Sequence, residues 1–138
     1  MSKKSGKIAA LIAEFRGQEL SEFYLGYFEC FNRKLFYEAH DVLEELWLKD
    51  RKGPNGDFYK GLIQLAGAFV HLQKNRLMPA AALFRLAETN LRRYPDEHEH
   101  LVIPGVLRVI EAWQKELERG EFIRNPLDSQ PAPLLGLS

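Results

Sequence analysis

One cysteine, Cys30, in a chain of 138 residues excludes an intramolecular disulfide and suits a reducing cytosol. No segment approaches the roughly 20 apolar residues that a helix needs to span a bilayer. Lys3, Lys4 and Lys7 precede an apolar run over 8–13, but the run is short and Glu14 interrupts it, which argues against a signal peptide. An excess of one charge is missing too. Lysine plus arginine and aspartate plus glutamate number 19 each, so no global field draws the protein to nucleic acid or to a membrane. There is no alternating strand pattern, no Gly-rich phosphate loop and no Gly-x-Ser-x-Gly elbow. The expectation left standing is a cytoplasmic protein that does not touch the membrane.

What the chain has is apolar residues at helical spacing, making up 46% of it with aromatics included. The pattern predicts an all-α fold: one helical domain over 1–138, five to six helices in a compact array around a central apolar helix, and an extended tail over about 122–138. A short helix is expected over 8–15, stopped by Gly17. Ser21 is a candidate N-cap for a helix reaching Asn32. Phe23, Tyr24, Tyr27, Phe28 and Phe31 wrap too far round that helix for a single stripe. They predict contacts on two sides, and a homodimer through this helix or through the tail. After a tight connection over 32–35 comes a helix over 38–47, then a turn-rich stretch, RKGPNGD, in which Asn55 or Asp57 caps the next helix. That next helix, over 58–74, is apolar round more than half its circumference and is the expected centre. Pro79 fits the first turn of a fifth helix, which ends at Tyr94 and Pro95. Pro104 and Gly120 bracket a sixth, with Val106, Ile110, Trp113 and Leu117 on one face. The tail is expected either to be packed by Phe122, Ile123 and Leu127 or to be disordered at its end.

The chemistry concentrates in 31–47, FNRKLFYEAHDVLEELW. At 100° per residue, Ala39, Val42, Leu43 and Leu46 form an apolar face with Trp47 at its edge, expected mostly buried. His40 and Glu44 sit on the Trp47 flank; Glu38 and Glu45 lie on the opposite one. Gln64 and His71 share a stripe on the central helix, with Gly67 and Ala68 between them. A short connection makes the two helices antiparallel, so the stripes can meet. Seven residues separate Gln64 from His71 by roughly 10 Å along the axis, which suits a hydrogen-bonded ladder better than a closed metal site. His40 is expected to bond a carboxylate or amide of this group, with no metal and no cofactor. Three functions stay open: a non-catalytic interaction or structural module, a small metal-assisted hydrolase using His40, Glu44 and His71, and nucleic-acid binding through basic helix ends, the last disfavoured by the charge balance. Asp96-Glu97-His98-Glu99-His100 reads as a solvated turn rather than a metal loop. Cys30, among aromatics, reads as a small core residue.

Asn32, Phe36, Glu38-Ala39-His40, Leu43-Glu44-Glu45-Leu46-Trp47 and Gly61-Leu62-Ile63-Gln64 through His71 together resemble domain of unknown function family 309. The pairing of E-A-H-x-x-x-E-x-x-W with G-L-I-Q is specific, and the likeness covers about 28–91. Asp41 stands where that family often has glutamate. The resemblance implies a small bacterial all-α protein. It implies no activity, substrate or catalytic residue, and it leaves Asn32 and Trp47 with structural roles.

Overall fold

The computed structural model describes residues 8–10, 12–13 and 20–138. Residues 8–10 and 12 are helical, and the expected end at Phe15 and stop at Gly17 lie outside the described residues; Ile8 and Ile12 are buried in the core. Helix α1 is Glu22–Asn32, with Ser21 as its N-cap: the Ser21 side chain accepts from the Phe23 amide. Lys34, in the left-handed region at φ 64°, turns the chain directly into α2, Phe36–Asp50. Helix α3 is Gly56–Gln73 and α4 is Leu77–Leu91. A two-residue hairpin pairs β1, Glu97–His98, with β2, Leu101–Val102, antiparallel. Helix α5, Ile103–Arg119, opens on Pro104 and closes on Gly120. The fold is therefore all-α, with the hairpin its only sheet among the described residues.

The hairpin is a correction to the solvated turn. Its two loop residues, Glu99 and His100, both have positive φ (50° and 61°), as a two-residue turn of the right twist requires. Neither is a glycine, so the conformation is held from outside. The Tyr24 hydroxyl donates to the Glu99 carbonyl at 2.8 Å, and the Ser138 amide donates to the His100 carbonyl at 2.7 Å. His98 packs between the Phe58 and Tyr94 rings and meets Asn55 Oδ1 at 2.7 Å. Asn55 occupies the N-cap position of α3 but makes no side-chain cap bond, because its amide turns to the hairpin.

Helix α3 packs against α2 on one side and α4 on the other. Its Phe69, fully buried, meets a ring from every other long helix: Phe31 of α1, Phe36 of α2, Phe84 of α4 and Trp113 of α5, at centroid distances of 5.6, 5.0, 5.3 and 5.0 Å. The aromatics of α1 are absorbed within the chain. Tyr24, Tyr27 and Phe28 are buried, and the Lys49 ammonium lies over the Phe23 ring. This removes the surplus that suggested association through α1. After α5 the tail makes a 3-10 turn, Pro126–Asp128, and then runs extended along the bundle. Leu135 enters the core, whereas Ile123 is 75% exposed and does not help to pack the tail. Asn32 imitates a strand partner for the tail. Its Nδ2 donates to the Leu135 carbonyl and its Oδ1 accepts from the Leu135 amide, both at 2.7 Å.

Candidate functional site

The outward stripe of α3, between α2 and α4, is not closed over. It floors a cleft of about 230 Å3 lined by Tyr37 and His40 of α2, Leu83 of α4, and Ile63, Gln64, Gly67, Val70 and His71 of α3. The walls are apolar, because Ile63 and Val70 sit at i, i+7 on the α2 side and Gly67 lies between them. The Tyr37 ring, 57% exposed, stacks against the His40 ring at the rim. Three of the residues singled out from sequence, His40, Gln64 and His71, thus face one opening.

Their bonds are not those of a ladder. His40 Nδ1 lies 3.2 Å from Asp41 Oδ1, outside the expected group, and its Nε2 is 3.9 Å from Glu44 Oε2, an ion-pair distance and too long for a hydrogen bond. Both His40 and Glu44 are about a third exposed, at 33% and 30%, so the pair is a surface one. The Gln64 Oε1 accepts from Asn90 Nδ2 at 2.8 Å. Asn90 was missed in the sequence, yet a signal was there. It continues the i+3 steps of Phe84 and Ala87, and a polar residue on an inward stripe needs a partner. It is buried, and this bond to Gln64 meets the need. Glu38 and Glu45 do not line the cleft. Among the described residues no three His, Cys, Asp or Glu side chains gather closely enough to hold a metal ion, so His40, Glu44 and His71 do not make a ligand set.

His71 is the most perturbed of these groups. Burial, and behind it the charges of Arg76 and Lys74, holds its imidazole below the usual histidine value. Its Nδ1 is buried without a hydrogen-bond partner. A proton is therefore bound more readily by the unfolded chain than by the folded one. The linkage has a definite sign: the stability associated with neutral His71 is present above the ordinary histidine pKa and is lost as pH falls through the depressed folded value. The expected result is a urea midpoint that declines from pH 7 toward pH 5, with a shallower decline in His71→Gln. Parallel slopes in the two proteins would assign the acid sensitivity elsewhere.

Trp47 is partly buried and packs against the core from the edge of its helix face, as expected. It stands on the flank that carries His40 and Glu44, short of full burial. Trp47→Ala should accordingly cost about 1–2 kcal/mol, below the range for a fully buried tryptophan; a loss beyond about 3 kcal/mol in chemical denaturation would contradict the placement.

No curated protein and no solved structure matches the chain. The family described as domain of unknown function, DUF309, matches residues 24–83. That span runs from α1 into α4 and contains every residue lining the cleft. Over residues 24–83 the chain is similar to the DUF309 family.

Proposed function

We propose that the protein is a non-catalytic interaction module and that the cleft between α2, α3 and α4 receives a single apolar group, the anchor side chain of a protein partner. The observation that carries this reading is the cleft's size and lining. At about 230 Å3 it falls below the roughly 300–1,000 Å3 of small-molecule sites and is apolar save for His40, Gln64 and His71 and the Tyr37 hydroxyl. Anchor residues of interfaces sit in such pockets. The hydrolase alternative lacks a gathered ligand set. The nucleic-acid alternative is weakened where Arg93 pairs with Asp57 and Arg92 with Glu88. A single cysteine, Cys30, buried in the core, is consistent with a cytoplasmic setting. Leu135 of the tail shares its core with Ile8 and Ile12, which supports taking 1–138 as one domain.

The test is a titration of isotope-labelled protein with 3-methyl-1-butanol, a neutral apolar probe. Saturable shifts confined to Gly67, Val70 and Leu83 are expected, and they should vanish in Gly67→Val. A Cβ at Gly67 lies 3.2 Å from Leu83 Cδ1, the movable end of a side chain, so the variant can fill the cleft and fold. Shifts elsewhere, or none, would reject the reading.

A further inference from the structure

The cleft's lining contains no carboxylate. Asp41 and Glu44 are both engaged with His40 on the α2 wall. The α3 stripe has a different character. Asn90 Nδ2 occupies the Oε1 of Gln64, so the amide N–H2 is the end left for the cleft. Two turns further along stands His71, with Nδ1 buried and unpartnered. A buried N–H without an acceptor costs more than a bare lone pair, which places the proton of the neutral ring on Nε2. Two donors therefore lie on one stripe, about 10 Å apart along the axis for seven residues at ~1.5 Å each. Between them Gly67 leaves the helix surface bare, flanked by Ile63, Val70 and Leu83. Beyond His71 the exposed Lys74 and Arg76 make that end of the stripe positive.

Resting on the reading of the cleft as a binding site, we infer that its occupant is the free C-terminus of a partner chain. An apolar side chain covers Gly67, the terminal carboxylate lies at the His71 end facing Lys74 and Arg76, and an upstream backbone carbonyl accepts from the Gln64 amide. An extended chain advances about 3.3 Å per residue, so a carboxylate and a carbonyl three residues apart match the two-turn spacing of the donors. Free chain ends are recognised elsewhere by donors clustered in this way. An internal loop would supply the carbonyl and the side chain but no charge for the two cations. A small acid would supply the charge but nothing for Gln64.

The experiment titrates the full-length labelled protein with N-acetyl-Ala-Ala-Leu as the free acid, with the same peptide as its C-terminal amide, and with 4-methylpentanoate. The free acid is expected to give saturable shifts at the Gly67 amide, the Gln64 side-chain amide and the His71 ring. The amide peptide and 4-methylpentanoate should each bind at least tenfold more weakly. In a Lys74→Gln/Arg76→Gln double variant, where both altered side chains are exposed, the gap between acid and amide should shrink to less than threefold. Equal binding of acid and amide overturns the C-terminal reading, as does an undiminished gap in the double variant. Equal binding of 4-methylpentanoate and the peptide acid overturns the peptide in favour of a small acid. If 3-methyl-1-butanol shifts the cleft and neither peptide does, this inference fails alone; if none of the four probes does, the binding-module reading fails with it.

Discussion

Replacing Phe69 with alanine should remove about 3–5 kcal/mol of stability, most of the smaller totals in the usual range of roughly 5–15 kcal/mol. The ring is wholly buried and touches one aromatic from each of the other four long helices. Its loss therefore opens a void that no single helix can close by shifting. Closing on Trp113 draws α5 away from α4, and closing on Phe31 and Phe36 leaves the other side empty. Edge-to-face contacts with Phe31, Phe84 and Trp113 go as well, each worth about 0.5–1.5 kcal/mol beyond area burial. Urea denaturation of Phe69→Ala should show a midpoint far below the parent's, with Phe69→Leu between them. A Phe69→Ala midpoint within error of the parent's would mean that α3 is not the hub.

Gly56→Ala should be destabilising by about 3 kcal/mol, the upper part of the overpacking range, although alanine is ordinarily the better helix former. A Cβ at this first residue of α3 meets backbone: the carbonyl oxygen and carbon of Arg51, the carbon at 2.7 Å, and the carbonyl of Asp50 at 2.9 Å. Side chains swing aside, but carbonyls at a helix end do not. The turn over 51–55 must move, and with it the Tyr94 hydroxyl, which donates to Pro54 and accepts from the Phe58 amide. The measurement is again the denaturation midpoint. A gain in stability would mean that the turn is far softer than its packing implies. Gly53→Ala makes a useful contrast, because there the added carbon meets the Asp50 carboxylate, a side chain that can rotate.

The contrast between these two sites illustrates what could be read from the chain. That α3 is the centre follows from periodicity alone, since apolar residues cover most of its circumference and only a core helix tolerates that. The meeting of His40 with the Gln64/His71 stripe was legible for the same reason: spacing fixes faces, and a short connection fixes direction. Burial depth was less legible. Trp47 lies at the margin of its helix face, and whether a margin is covered depends on how neighbouring helices splay, a tertiary property. Partners across the fold were least legible. Asn90 for Gln64, Asn55 for His98 and Asn32 for Leu135 join residues 26, 43 and 103 positions apart. An amide's preference for a partner says nothing about which distant group will arrive. Gly56 was visible only as one turn residue among several, because the carbonyls it approaches are positioned by the whole turn.

The grip of Asn32 on the tail has a kinetic side. Helices α1 to α4 meet through neighbours in sequence, so their hairpins close short loops, whereas the contact between Asn32 and Leu135 closes one of about a hundred residues. Such a contact forms late and opens early. Once released, it leaves the Phe69 cluster untouched. The final residues then behave as a separate cooperative unit, whose amide protons exchange through a partial opening far cheaper than global unfolding. A protease that cuts near Ala132 would sample that opening while the bundle stays folded, and it would report a free energy that belongs to the hydrogen bonds of Asn32 and His100 with the tail and to the burial of Leu135.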